Sequence, residues 1–220
     1  SHFHVEEKMV IRYGLGAIKG VGESFAQAVV DERQKFGTYA DVLDFCMRLE
    51  HVRVNRKMLE ALIKAGAFDC FKHKRAALYA SIEKVLAKRD KKISDQSNFQ
   101  GDLLGDGGAE TDWLLDVADW EMPIQLNYER DVLGLYLSSH PMIVYRRQVK
   151  ALGAISIAKI KRGVKNQLVA GVLLGHRVVY TKAGRRFVIV IFEDEARKEE
   201  ILLSDQEYQR VQADLRPGGV

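Results

Sequence analysis

The chain has 220 residues, 47% of them apolar and 29% charged, with a formal net charge of +4. That length allows one large domain or two to three small ones, with enough apolar residues to fill their cores. No run approaches the roughly eighteen apolar residues of a membrane span, the start lacks a basic-then-apolar leader, and Cys46 and Cys70 have neither metal-like spacing nor partner histidines, so we expect no membrane association and a reducing, cytoplasmic setting.

The chain opens on serine, not methionine, which suggests a piece of a longer protein. Residues 23–34 have the period of an amphipathic helix, with Phe25, Ala26, Val29 and Val30 on one face. Leu43, Phe45, Cys46 and Leu49 suggest a second short helix. Asn55 is a good N-cap for "RKMLEALIKAG", in which Met58, Leu59, Leu62 and Ile63 form the buried stripe and Gly66 ends the helix. "KRAALYASIEKVLAKRDKK" reads as one further helix, so helices dominate to about residue 92.

Residues 93–122 contain Gly, Asp and Ser throughout, lack lasting periodicity and offer little to bury, which predicts a flexible acidic loop. "PIQLNYERDVLGLYLSSHPMIVYRRQVKAL" is helical in two pieces broken at "LSSHP", because the residue before proline resists the α region. From about Gln167 the period becomes that of strands: "QLVAGVLLGHRVVY", "RRFVIVIFED" and "KEEILLS", with "TKAG" as a turn. Gly171 suggests a bulge of the kind that lets a small barrel curl. A short helix, "DQEYQRVQADL", follows. Three strands cannot close a barrel, so the module looks cut short. The fold class expected is α+β, mainly helical first and a partial barrel last.

The small net charge conceals blocks. Residues 51–92 carry twelve Lys/Arg against four acids, residues 93–131 ten acids against Arg130, and residues 132–192 eleven Lys/Arg with no acid. Basic modules of this kind suggest nucleic acid as partner; solvated helix faces with a charged linker are the plainer alternative.

"GAIKGVGESFAQAVV" places Gly20 and Gly22 around Val21, directly before the first amphipathic helix. Helix, Gly-x-Gly turn and helix make a helix–hairpin–helix unit whose bare N–H groups suit a phosphate oxygen, with Lys19 adding charge. Glycines serving only an αα-hairpin's packing are the alternative. An echo in "LIKAGAFD…HKRAALYASI" repeats the pattern with Lys64, Ala65, Gly66 and Ala67, flanked by Lys74 and Arg75. Two such units would grip both strands of double-stranded DNA through phosphates.

"VEEKMVIRYGLGAIKGVGE", "NRKMLEALIKAGAFD", "RAALYASI" and "YERDVLGLYLSSHPM" resemble, in this order, the C-terminal third of the bacterial replicative DNA polymerase III alpha subunit, family C. The resemblance implies a tandem helix–hairpin–helix domain over 1–92, an acidic loop over 93–122, a helical connector over 123–155 and the first part of an oligonucleotide-binding (OB) fold over 156–220. It places the palm and its Mg²⁺ in another part of the polymerase, so neither catalytic residues nor a cofactor are expected here. It also implies a sliding-clamp-binding peptide at Gln100, Asp102, Leu103 and Leu104, with Gly101 in place of a leucine and Leu104 in place of an aromatic. Single-stranded template would meet Arg177, Tyr180, Lys182, Arg185, Arg186 and Phe187, a basic and aromatic mixture suited to base stacking. Other replicase subunits would be further partners.

Two other classes stay open. One is a stand-alone DNA-binding or repair adaptor. The other is a glycosylase using Asp41 or Asp44, although no pocket for a flipped base is evident. "EDE" at Glu193–Glu195 reads as a charged turn in preference to a metal site, and the histidines, His140 included, as turn or surface residues.

Overall fold

The structure, a computed structural model, describes residues 4–7, 10–97, 112–161, 163–164, 166–215 and 218. It divides into two compact units, Ser1–Tyr136 and Leu137–Val220.

The first unit begins with an antiparallel pair, β1 (His4–Glu7) and β2 (Val10–Arg12), which the sequence reading did not anticipate. Helices follow: α1 (Glu23–Phe36), α2 (Val42–Arg48) and α3 (Arg56–Lys64). The side chain of Asn55 accepts from Met58 N at 3.0 Å, the N-cap expected of it. Leu59, Leu62 and Ile63 of α3 are buried against Phe25, Val29, Phe45 and Cys46, so the apolar stripes of three helices meet in one core. Phe45 lies edge-on to Phe25, Tyr39 and Phe68.

The long helix expected next is two helices, α4 (Arg75–Ala80) and α5 (Ile82–Ser97), broken at Ser81. The buried Ser81 hydroxyl donates to Ala77 O at 2.7 Å and accepts from Leu115 N at 2.8 Å, so it ties the break to the segment beyond residue 111. Residues 112–121 of that segment form no helix or strand, yet part of it is buried. Trp113 is 2% exposed within the core, and Leu114 and Trp120 pack against it. α6 (Met122–Leu133) completes the unit with Leu126, Glu129 and Leu133 buried. The boundary between the two units, between Tyr136 and Leu137, falls within the stretch 123–155.

The second unit contains α7 (Met142–Ala151) and a meander of β3 (Val172–Tyr180), β4 (Arg186–Glu193) and β5 (Lys198–Ser204), all antiparallel. α8 (Asp205–Val211) starts on a capping box between Ser204 and Glu207. Tyr208 of α8 covers Leu173, Val188 and Val190 on one sheet face. The register irregularity lies between Leu173 and Gly175, not at Gly171. Gly171 serves close approach instead: a Cβ there would stand 2.8 Å from Glu193 O. Helices followed by an open three-stranded antiparallel sheet are consistent with a partial OB-like fold.

Candidate nucleic-acid interface

The turn at Lys19–Gly22 is entered from a single 3₁₀ turn, Leu15–Ala17, and not from the helix that the hairpin pattern implied. The short run between Gly14 and Gly20 leaves no room for more. Ile18 and Val21 point into the core and fix the turn to it. Gly20 has φ +90°, a conformation that a side chain resists, while Gly22 is extended and caps α1 without a side chain. Two of the turn's N–H groups are used inside the protein: Lys19 N donates to Val132 O at 2.8 Å and Val21 N to Ile18 O at 2.9 Å. The cradle is therefore smaller than four successive N–H groups. What faces solvent is the backbone of Gly20 and Gly22, the opening of α1, and the exposed Lys19, whose ammonium has no partner among the described residues.

The second hairpin is closed. Ala65 N, Gly66 N and Ala67 N donate to Ala61 O, Ile63 O and Leu62 O respectively, so its turn has no spare donor. Arg75, expected to contact DNA, is 8% exposed and reaches into the unit. Its guanidinium donates to both oxygens of Asp69, at 2.8 and 2.6 Å, and to Glu129 Oε1 at 2.8 Å, where Glu129 is wholly buried. Burial works against charge on Arg75, but these hydrogen bonds hold its pKa above the ordinary arginine value. Gly66 has φ +76°, and a Cβ there would collide with the Arg75 guanidinium and Asp69 Oδ2. Lys64 lies over the rings of Tyr79 and Tyr128, at 5.4 and 4.7 Å. Lys74 reaches Asp116 at 3.4 Å and Val117 O at 3.2 Å, while Ala76 N donates to Asp119. In the second copy the turn N–H groups, Arg75 and Lys64 are thus engaged within the unit, whereas Lys74 is half-exposed and meets the fully exposed Asp116.

Both hairpins rest on the last turns of α6. Glu129 takes Arg75, Val132 O takes Lys19 N, and Leu133 O accepts from the Tyr13 hydroxyl at 3.0 Å. The sequence carries no local signal for these roles of Tyr13, which precedes the turn, and Glu129, which lies within α6.

In the second unit, the six residues expected to meet single strands are divided. Directly paired residues of neighbouring strands share a face. Arg177 (opposite Ile189) and Phe187 (opposite Val179) lie on the face away from α8, where Arg177 pairs with Glu200 at 3.0 Å. Tyr180 pairs with Arg186 on the α8 side, and Arg186 is taken by Asp205 at 2.5 Å and lies over Tyr208. Lys182 and Arg185 are exposed in the turn between strands, beside Tyr180, which is 68% exposed. Only Arg177 and Phe187, or Tyr180 with the turn, could contact one strand together.

Gln100, Asp102, Leu103 and Leu104 lie outside the described residues. The other carboxylates considered have structural work. Asp41 caps α2 by accepting from Asp44 N, and Asp44 accepts from Ala40 N and Arg48. Asp194 accepts from Ser156 Oγ and from Ile157, Ala196 and Arg197 N. Burial opposes its charge, yet those bonds keep its pKa below the usual carboxylate value. His140 Nδ1 accepts from Met142 N at the start of α7. No helix among the described residues is long and apolar enough to cross a membrane.

Residues 1–78 match the family described as helix-hairpin-helix motif. Over 211 residues, 96% of this chain, it is 34% identical to the DNA polymerase III subunit alpha of Bacillus subtilis strain 168. The chain belongs to the DNA polymerase III alpha-subunit family. The alpha subunit of Escherichia coli K12 is 32% identical over 92% of the chain, and that of Xylella fastidiosa Temecula1 is 40% identical over 68%. This chain spans only 19%, 18% and 13% of those three alpha subunits. The match to the polymerase III alpha subunits runs through both compact units, since 96% of the chain is aligned.

Proposed function

We propose that this chain is a non-catalytic part of a replicative polymerase that holds product duplex by its phosphates, tethers the enzyme to its sliding clamp and touches single-stranded template. The observation that carries the duplex grip is the exposed Lys19–Gly22 turn, bare of side chains at Gly20 and Gly22 and backed by α6. A grip through backbone N–H groups and one lysine reads phosphate, not base edges. Clamp binding would fall to Gln100, Asp102, Leu103 and Leu104, with the amide fixing register and the leucines entering a pocket. Template would meet Arg177 and Phe187 on one face or Tyr180, Lys182 and Arg185 at the turn. Several weak contacts on one DNA would add through effective concentration. The chemistry, and the Mg²⁺ it uses, would belong to other parts of the alpha subunit, where further replicase subunits would also attach.

Fluorescence anisotropy with labelled duplexes of unrelated sequence, across a salt series, tests the grip. A Kd of about 10⁻⁴–10⁻⁶ M is expected, falling in affinity with salt by roughly 0.9 log units per phosphate contact. A salt-independent or sequence-selective complex would refute it. For the tether, surface-plasmon binding to a bacterial sliding clamp should vanish in Leu103→Ala/Leu104→Ala; retained affinity would sink that assignment.

A further inference from the structure

α5 carries Lys84, Lys88 and Lys92 four residues apart, with Lys91 on the same side. Successive i, i+4 positions put a charge about every 6 Å along one helix face. The acids Glu83 and Asp90 fall on another side of the helix, where Glu83 pairs with Arg56 and Asp90 with Arg89; Asp95 lies at the far end of the row. Lys84, Lys91 and Lys92 are exposed and have no ion-pair partner among the described residues. Lys74, the N-cap residue of α4, is linked to the row through the segment after residue 111, which meets Lys74, Ser81 and Lys88 in turn.

The segment after residue 111 lies on part of this row with acids. Asp112 pairs with Lys88 and Asp116 with Lys74. A hydrogen bond from Lys88, with the charge of Lys92 adding, holds the Asp112 carboxyl below its usual range. The buried Trp113 anchors the segment, while the Asp116 side chain is 100% exposed and meets Lys74 at 3.4 Å. Exposed pairs of that kind are worth little and yield readily to a better anion.

We infer that the α5 lysine row, continued by Lys74, is a second surface for the duplex backbone, and that Asp112 and Asp116 partly neutralise it in the free protein. It rests on the duplex-holding function proposed above. It also answers what the closed second hairpin leaves open: the helix behind the hairpin carries the charge that the hairpin's turn does not. DNA is the occupant the charge pattern favours, because a regular row of flexible ammonium groups on one helix follows a phosphate strand without reading bases.

The test compares salt slopes of duplex binding for the whole chain and three variants. Lys88→Gln/Lys92→Gln should lower the slope by about 1–2 and weaken binding roughly tenfold or more at low salt. Arg33→Gln/Lys35→Gln, the same charge change on α1, should leave the slope near that of the parent. Asp112→Asn/Asp116→Asn should steepen it by about 1–2 as the freed lysines take up phosphates. Thermal midpoints confirm that each variant is folded. Equal slopes for the two cation-removing variants would overturn the surface, and an unchanged slope in the acid-removing variant would overturn the neutralising role. A parent chain without duplex affinity would overturn the underlying function instead.

Discussion

Removing Glu129 is the most demanding test of how the first unit is held together. Its carboxylate is fully buried and takes one edge of the Arg75 guanidinium, itself 8% exposed, while Asp69 takes the other. Glu129→Ala leaves a buried cation with half its partners and a void where the side chain was. Breaking one side of a buried ion pair typically costs about 3–5 kcal/mol. Because Asp69 still accepts two hydrogen bonds, the lower end, about 3 kcal/mol, applies. With a urea slope of about 2 kcal/mol/M, the midpoint should fall by about 1.5 M. The chain's two tryptophans, Trp113 and Trp120, both lie in the first unit, so their fluorescence follows that unit selectively. Arg75→Met/Glu129→Leu removes both charges and should recover most of the loss, since apolar replacements of buried pairs are often neutral. A midpoint shift under about 0.3 M for Glu129→Ala, on the same slope, would show that the pair does not hold the hairpin.

Four further outcomes are expected. Gly66→Ala should destabilise more than Gly20→Ala in the same urea assay. Both oppose a positive φ, worth about 1–2 kcal/mol, but only at Gly66 does the new Cβ strike Arg75, whereas at Gly20 the nearest atom is 3.9 Å away. Gly20→Ala should nonetheless weaken duplex binding the more, as read by anisotropy. For Asp194, the folded-state pKa is depressed, so its contribution is present above the ordinary value of 3.8 and is lost as pH falls through the lower folded value. Asp194→Asn should therefore lower the thermal midpoint at neutral pH and flatten its fall on acidification below about pH 4; an unchanged acid limb would refute the role. Thiol labelling should modify the exposed Cys70 at once and the buried Cys46, whose pKa burial pushes up to about 12, only on unfolding.

Much of the helical architecture was legible because it is local. Asn55 before an amphipathic run, Pro141 after "SSH", and alternating Val and Ile from 188 to 191 each dictate a structure over a few residues. What escaped was long-range. Ser81 looks like an ordinary helix residue, and its role depends on Leu115 arriving from 34 residues away. Trp113, set among acids and glycines, does lie in a loop, but its burial is not legible there because its cavity is built by other helices. Residue type and position point Arg75 toward DNA, yet they do not reveal that Asp69 and the buried Glu129 hold its guanidinium. The same limit applied to the sheet, where Arg186 and Phe187 are adjacent in sequence but lie on opposite faces.

The position of α6 in the chain has a consequence for biosynthesis. Lys19 N, the Tyr13 hydroxyl and Arg75 all find their acceptors on Glu129–Leu133. At ribosomal rates of about 5–20 residues per second, those acceptors emerge several seconds after Arg75 does. Until then the nascent chain carries an arginine that has only Asp69 to pair with and a glycine turn with no backing. Hairpin closure is thus a late event, coupled to the far end of the unit. Both turns should open and close together in native-state hydrogen exchange, as one cooperative segment with α6. A chain ending before Met122 would have most of the core residues and still lack the helix that makes the hairpins rigid.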